Sequence, residues 1–349
     1  MHVDQHVCET LSRPALIGLG EGNFLLRFES MKVASAGWAV ADLLARGVID
    51  DRSTLIDSSS GIYAYALALT CHRFGLGCHV VASAAADPSL LVQLDLLGAS
   101  YEQMPSGDDL ALDQNLRVAR VHEYVRTHPG AYWMQQYHDR IHYEGYRRMV
   151  APFLAENEWS RVRLVSAVGS GASSAGLARG LRDLGAEVQV HGVQPFGSVS
   201  FGSEEVSDPD MMIAGIGSAI DFANIDDDLF DTIDWVSFAV ACSGSHELMR
   251  RQAIFAGLST GAAFMTASSL PRTDGAVTLV ISPDTGHRYT QRVFARPAAP
   301  VTDWVPRMIE HRRELTLPWC RRLRPADGWA AHRRVAEERR DAEVLSPAG

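Results

Sequence analysis

Short apolar segments alternate with amphipathic segments along most of this chain, and no other feature of the sequence restricts its fold as strongly. The apolar segments have the length of buried strands, whereas the amphipathic segments have the helical period. Glycine follows three of the predicted helices, at Gly47, Gly75 and Gly98, where helices commonly end. The alternation predicts a fold of the α/β class.

The pattern divides the chain into two halves and a tail. Residues 129–137 contain aromatics and glycine and are interpreted as the connection between the halves, and residues after about 305 are interpreted as a charged helical tail. The predicted strands are residues 24–28, 53–56, 78–82, 101–104, 163–168, 188–193 and 277–282. The predicted helices are residues 34–46, 64–74, 88–97, 116–127, 146–157, 173–184, 245–256 and 261–269.

Composition excludes several classes of function. The formal net charge is −10 and no basic cluster alternates with aromatics, which argues against nucleic acid as a partner. No apolar run is long enough to predict a membrane span, and the N-terminus lacks the pattern of a signal peptide. The five cysteines form no CxxC pair, which argues against a zinc site or a disulfide framework and favours a cytoplasmic location.

His138 and His142 are the one pair of histidines with a spacing of interest. At i and i+4 they are expected to share one face of a helix. No HExxH pattern or nearby third ligand accompanies them, so we predict no metal site.

Lys32 is the only lysine among the 32 basic residues of the chain. It lies between a predicted strand and a predicted helix. Burial and the positive end of a helix dipole both favour a neutral amine there, and a neutral amine can attack a carbonyl whereas arginine cannot. An exposed lysine at a helix start is the alternative interpretation.

Two further loops join a strand to a helix and carry small residues. Residues 57–63, Asp-Ser-Ser-Ser-Gly-Ile-Tyr, present hydroxyls and backbone N–H groups that suit a carboxylate, although serine at this position is also a common helix cap. Residues 168–176, Val-Gly-Ser-Gly-Ala-Ser-Ser-Ala-Gly, suit a phosphate. The spacing of the second loop fits neither the nicotinamide fingerprint nor a P-loop.

Seven segments in this order resemble the motifs of the fold-type II pyridoxal-phosphate enzymes, in particular the cysteine synthase and cystathionine β-synthase group. The Ser-x-Lys and TSGN motifs resemble residues 30–32 and 59–61, and QQF resembles residues 135–137. The remaining four, GTGGT, EGIG, GxSSGAA and PDSGERY, resemble residues 169–173, 213–217, 255–263 and 283–289.

The resemblance implies a tryptophan synthase β-like fold, with two domains that each hold a mostly parallel open sheet flanked by helices. The domains are expected at residues 1–145 and 146–305, with a charged tail at 306–349, and residues before about 36 are expected to pack on the second domain. It also implies pyridoxal 5'-phosphate as cofactor, a small amino-acid substrate and a homodimer.

Site residues follow from the resemblance position by position. Lys32 is expected to form the Schiff base with the cofactor and to move the Cα proton. The cofactor phosphate is expected at Gly169, Ser170, Gly171, Ala172 and Ser173. Ser259 is expected to face the pyridine nitrogen, and the substrate carboxylate is expected at Ser59, Ser60, Gly61 and Gln136.

A neutral hydroxyl at the pyridine nitrogen implies a weak electron sink, which favours loss of a β-substituent over transamination. The resemblance therefore implies a lyase or transferase that performs β-elimination or β-replacement, through an aminoacrylate, on a serine-, O-acylserine- or cysteine-like amino acid. Alternatives are a non-catalytic paralogue that binds the cofactor and regulates a partner, or a racemase or dehydratase.

The chain departs from the family pattern on the substrate side. Ile62 stands where the family has asparagine, Val33 stands where it usually has aspartate, and the approach to Lys32 is shortened at Glu29. These departures predict an unusual substrate, consistent with specialised metabolism; a degenerate function is the competing explanation.

Overall fold

A computed structural model describes residues 3–105, 107, 110–211, 215–271 and 275–329. The strands of these residues are Ala15–Gly20 (β1), Asn23–Arg27 (β2), Thr54–Ser58 (β3), Gly77–Ser83 (β4), Ser100–Met104 (β5), Ala131–Trp133 (β6), Arg161–Ala167 (β7), Glu187–Pro195 (β8), Thr232–Val236 (β9), Val277–Ser282 (β10), Arg307–Met308 (β11) and Trp319–Leu323 (β12). The α-helices are Val7–Leu11 (α1), Lys32–Ala45 (α2), Ile62–Phe74 (α3), Pro88–Leu96 (α4), Leu110–Thr127 (α5), Ile141–Ala155 (α6), Ala172–Asp183 (α7), Phe238–Gln252 (α8) and Leu258–Ser268 (α9).

The strands form two sheets, as expected of an α/β fold. One sheet has the order β5-β4-β3-β6 and is parallel throughout. The other has the order β1-β2-β10-β7-β8-β9-β12-β11. In this order the strands from β2 through β10, β7 and β8 to β9 run parallel, β1 pairs antiparallel with β2, β12 pairs antiparallel with β9, and β11 pairs parallel with β12. The predicted fold class is confirmed.

The N-terminal strands β1 and β2 belong to the larger sheet, although they precede the whole of the smaller one. Helix α1 packs in the core of the smaller sheet, and the chain then enters the larger sheet with β1 and β2, builds the smaller sheet from β3 to β6, and returns to the larger sheet at β7. The domain boundaries at residues 145 and 305 stay a prediction.

Three helices in contact join the smaller sheet to the larger one, and two glycines allow their close approach. A Cβ at Gly145 of α6 would lie 2.5 Å from the carbonyl oxygen of Ala34 in α2, and a Cβ at Gly176 of α7 would lie 2.4 Å from that of Tyr143 in α6. Such distances exclude any side chain. The series α2–α6–α7 thus fixes Lys32, the first residue of α2, relative to the loop that precedes α7.

Each sheet has its own hydrophobic core. Val33, Val40, Leu55 and Leu67 belong to the core of the smaller sheet. The larger sheet is covered on both faces, by α6 and α7 on one side and by α8 and α9 on the other. Val33 is completely buried in the first of these cores, so an aspartate at this position would place a charge in an apolar environment.

Two interpretations of the sequence are wrong. Residues 129–137 are not only a connection, because they contain β6, which pairs with β3. Residues 305–329 contain two strands rather than a helical tail. Strand β12 can enter the interior because the guanidinium of Arg321 forms an ion pair with buried Asp234 of β9 at 2.9 Å. The remainder of the predicted tail, residues 330–349, lies outside the described residues.

Candidate active site

The candidate site lies at the carboxyl ends of adjacent parallel strands. Lys32 follows β2, Asp284 follows β10, and Ser170 follows β7, and these three strands are neighbours in the larger sheet. Parallel strands deliver the residues after their carboxyl ends to one edge of the sheet, which is where open α/β sheets bind ligands. Hydrogen bonds connect the loops: Met31 N donates to Pro283 O, and Gly257 N, at the start of α9, donates to Asp284 O.

Lys32 is half-buried and faces the glycine-containing loop. Its Nζ donates to Ser170 Oγ at 3.0 Å, so two residues that were predicted to contact one cofactor do lie together. Burial lowers the pKa of the Lys32 amine to about 8, while the charge of Asp57 acts to raise it. An amine with this pKa is partly neutral near physiological pH.

The loop before α7 has the backbone shape of an anion site. Gly171 has a φ of +78°, and a Cβ there would lie 2.7 Å from the carbonyl oxygen of Asn224. A Cβ at Gly169 would lie 2.9 Å from the carbonyl oxygen of Gly215. Only glycine fits both positions, and the loop ends at the N-terminus of α7, where backbone N–H groups are free to bind a phosphate.

The Ser59–Ser60 turn and Gln136 also lie together. Ser59 Oγ accepts from the N–H groups of Gly61 at 3.4 Å and Ala64 at 3.2 Å. It therefore satisfies one N–H group in the first turn of α3, although the N-cap residue of that helix is Gly61. Ser60 Oγ accepts from Ser83 N at 2.7 Å, and Gln136 Nε2 donates to Ser58 O at 2.9 Å. Because both hydroxyls act as acceptors here, each keeps its own proton available for a ligand.

Asp57 is a buried charge that the motifs did not single out. It is the next-to-last residue of β3. Its carboxylate accepts from Ser58 N at 2.8 Å, Gln136 N at 2.9 Å and Trp133 Nε1 at 3.1 Å. Burial raises the pKa of Asp57 to about 6, against the effect of these N–H donors and of Lys32. The sequence feature that could have identified Asp57 is a carboxylate directly after the apolar residues of a predicted strand.

His142 is held by the protein on both sides of its ring. Nε2 lies 2.8 Å from Met134 O, and Nδ1 lies 3.0 Å from Ser35 Oγ. Burial lowers the pKa of His142 to about 4, so the ring is neutral. His138 precedes α6, so the expectation that the two histidines share one helix face is wrong. No group of metal-ligating side chains occurs within the described ranges.

Arg117 and Tyr137 form a second feature that sequence reasoning missed. The Tyr137 ring stacks on Phe222 at 4.0 Å, and the side chain of Gln114 in α5 approaches its hydroxyl. Arg117, one turn along α5 from Gln114, is half-buried and close enough to Tyr137 for their charges to interact. Its guanidinium has no ion pair or hydrogen bond in the described part of the chain.

Ser259 is the second residue of α9. It is 1% exposed, and its hydroxyl forms no hydrogen bond with another described residue. The hydroxyl therefore keeps its hydrogen-bonding capacity available for a ligand.

The sequence model of the family described as "Pyridoxal-phosphate dependent enzyme" matches residues 23–284, which include Lys32, the loop before α7 and Ser259. This chain belongs to that family. Its cofactor is pyridoxal phosphate. The available Ser259 hydroxyl, the glycine loop at a helix start and the half-buried amine of Lys32 fit such a cofactor.

Curated relatives and solved structures agree with this assignment. The chain is 30% identical to the N-(2-amino-2-carboxyethyl)-L-glutamate synthase of Cupriavidus metallidurans over 76% of this chain and 79% of the relative. It is also 30% identical to the synthase of the same name from Ralstonia nicotianae, over 81% and 82%.

Among solved structures, the O-acetylserine-dependent cystathionine β-synthase of Helicobacter pylori is similar with a TM-score of 0.73, 21% identity, and coverage of 84% of this chain and 99% of that one. The cysteine synthase of Entamoeba histolytica is similar with a TM-score of 0.74, 18% identity, and coverage of 85% and 93%. These likenesses show the fold, and the predicted tryptophan synthase β-like architecture is confirmed. The chain is a cysteine synthase-like β-replacement transferase.

The sole lysine makes the pKa of Lys32 directly measurable. In the full chain freed of cofactor, we expect competitive acylation of Lys32 to titrate near pH 8, below the ordinary lysine value of 10.5. The shift is downward because burial penalises the ammonium form. The N-terminal amine is the internal reference, and mass spectrometry of the Lys32 peptide gives the extent of reaction.

The same measurement has a matched pair of variants. Asp57→Asn should lower the pKa of Lys32 further, because the Asp57 charge raises it, whereas Asp51→Asn on the surface should leave it unchanged. A Lys32 amine that titrates like an exposed lysine would contradict the buried geometry.

Proposed function

We propose that this protein joins the α-amine of L-glutamate to the β-carbon of an O-activated L-serine, with loss of the oxygen substituent. The two curated relatives are named for this product and match more than three quarters of the chain. The observation that carries the proposal in this chain is Arg117, a half-buried guanidinium that forms no ion pair or hydrogen bond in the described residues. The charges that act on it at longer range are those of Tyr137 and of Asp113 on the same helix. A cation in that state suits a substrate with an additional anionic group.

Each site residue has a separate role in the proposed reaction. Lys32 holds the cofactor covalently and carries the donor's Cα proton, and Gly169, Ser170, Gly171, Ala172 and Ser173 hold its phosphate. Ser259 donates to or accepts from the pyridine nitrogen. When bound, pyridoxal phosphate supplies the electron-withdrawing ring that lets the donor lose its Cα proton and its β-substituent.

The donor carboxylate is proposed to bind at Ser59, Ser60, Gly61 and Gln136. The first turn of α3 leaves backbone N–H groups without intrahelical acceptors, and the two serine hydroxyls each retain a proton to donate. Gln136 binds Asp57 through its backbone and Ser58 through its side chain, which fixes the turn around the ligand.

Product analysis tests the function. Holoenzyme with L-glutamate and either O-acetyl-L-serine or O-phospho-L-serine should yield N-(2-amino-2-carboxyethyl)-L-glutamate by mass spectrometry, with L-serine as the unactivated control. Sulfide in place of L-glutamate tests the competing cysteine synthase activity. Product with sulfide but none with L-glutamate would refute the proposal.

Arg117→Ala should raise the KM of the anionic substrate at least tenfold, because one charge-assisted contact is worth about 1.5–3 kcal/mol. Arg126→Ala, at the exposed far end of the same helix, is the control and should leave the KM unchanged. The two donors and L-glutamate are varied separately, so the affected KM identifies which anionic group Arg117 binds. An unchanged KM for all three would remove Arg117 from the proposal.

We further propose a homodimer located in the cytoplasm. No helix within the described part of the chain is long and apolar enough to cross a membrane. The five cysteines are all free and buried, which suits a reducing compartment. Sedimentation at micromolar concentration tests the dimer, and fractionation of the source cells tests the location.

A further inference from the structure

We propose that the Asp57 carboxylate accepts the proton that the amine of the second substrate must lose before its nitrogen can bond to the β-carbon. This inference rests on the proposed function, because it applies only if the nucleophile is an amine. It assigns a catalytic role to a residue that the family motifs leave unassigned.

The proton count of the reaction requires a second base. The α-amine of L-glutamate is an ammonium ion at neutral pH and has no lone pair until one proton leaves. At that moment Lys32 already carries the proton taken from the donor's Cα, and it must return that proton to the same carbon. A thiolate or hydrosulfide nucleophile would need no such base, whereas an amine nucleophile does.

Asp57 is placed to be that base. It is 2% exposed and is the next-to-last residue of β3, two positions before Ser59, where the proposed carboxylate site begins. Its charge interacts with Lys32 of α2, with Tyr63 of α3 and with Tyr137 beyond β6. Both tyrosines have pKa values raised by burial, so neither is a base near neutral pH.

The hydrogen bonds of Asp57 leave capacity for a proton. Three N–H groups bind its two oxygens, and a carboxylate offers about four lone-pair sites. Burial works against the charged form of Asp57, so its proton affinity lies closer to neutral pH than that of an exposed aspartate. His142 is excluded because both of its ring nitrogens are occupied by Met134 and Ser35.

The step balances as follows. The Cβ–O bond of the donor breaks first, and the oxygen substituent leaves with the bonding electrons. The ammonium N–H bond then breaks and its proton goes to an Asp57 oxygen, and the freed nitrogen lone pair forms the N–Cβ bond. The Cα proton returns from Lys32 to Cα, and Asp57 gives its proton to solvent when the product leaves. No oxidant or reductant takes part.

Two amine acceptors with different proton requirements test the role. L-Glutamate must be deprotonated, whereas 2,2,2-trifluoroethylamine is already mostly neutral at neutral pH. For Asp57→Asn we expect C–N bond formation with L-glutamate to fall roughly 10²-fold or more relative to formation with trifluoroethylamine. Equal losses for the two acceptors would show a structural role and would overturn the proposal, as would no loss for either.

A second variant covers the case in which the Asp57→Asn substitution disturbs the three N–H donors. In Asp57→Ala, added formate should restore the reaction with L-glutamate and should not change the reaction with 2,2,2-trifluoroethylamine. Failure of formate to restore it would overturn the proposal. Difference infrared spectroscopy of the holoenzyme adds a readout other than activity: binding of L-glutamate should produce a protonated-carboxyl band that Asp57→Asn lacks.

Products of the wild-type protein distinguish failure of the proposed function from failure of the proposed role of Asp57. If it forms a C–N product with neither amine but a C–S product with sulfide, the proposed function fails and the inference fails with it. If it forms the glutamate product and Asp57→Asn does so at the same rate, only the role of Asp57 is refuted.

Discussion

Lys32→Ala is expected to lower turnover by about 10³-fold or more, because one side chain both holds the cofactor and carries the Cα proton in the proposed mechanism. The chain has no other lysine that could replace it. Lys32→Arg is the matched variant: it retains a positive charge and a donor toward Ser170, but a guanidinium neither loses its proton nor attacks the cofactor's aldehyde. We expect it to be as inactive as the alanine variant.

A covalent readout accompanies this prediction. Borohydride treatment of the wild-type holoenzyme should fix the cofactor to the peptide that contains Lys32, and neither variant should give that peptide adduct. An adduct at the N-terminal amine of the wild-type protein, or full turnover by either variant, would contradict the assignment of Lys32.

The site was predictable where its chemistry depends on residue type and local spacing. The sole lysine at a strand-to-helix turn and the Gly-Ser-Gly loop could be identified in this way, and the structure places Lys32 Nζ 3.0 Å from Ser170 Oγ. Asp57 and Arg117 could not be identified in this way, because their importance comes from burial and from neighbours distant in sequence. Arg117 looks like any charge on an amphipathic helix until Tyr137 is placed beside it.

The fold was predictable where an element is apolar along its own length. Residues 277–282 were predicted as a strand and form β10 with the same bounds. Strand β12 was missed because Arg321 and Arg322 give it the composition of a surface segment, and only the ion pair to Asp234 makes burial of Arg321 possible. Strand β6 was missed because it has three residues and is specified by pairing with β3 rather than by its own pattern.

Gly171→Ala is expected to be the most damaging substitution in the loop before α7. A left-handed backbone costs a non-glycine residue about 1–2 kcal/mol. The added Cβ would also lie 2.7 Å from Asn224 O and 2.9 Å from Ile225 Cα, both backbone atoms, and overpacking of this kind costs about 1–3 kcal/mol. We therefore expect the free energy of unfolding to fall by roughly 2–5 kcal/mol in urea titrations.

Gly185→Ala separates the cost of the left-handed backbone from the cost of overpacking. Gly185 follows the other end of α7 with a φ of +88°, and a Cβ there would meet nothing within 4 Å, so this variant bears only the backbone cost. Affinity for pyridoxal phosphate, followed by absorbance, should fall at least tenfold in Gly171→Ala and stay unchanged in Gly185→Ala, because only the first loop is proposed to hold the phosphate. Equal losses of cofactor affinity and of unfolding free energy in the two variants would contradict this prediction. They would mean that the backbone at Asn224 moves to accommodate the added methyl group and that the close contact at Gly171 is not needed for phosphate binding.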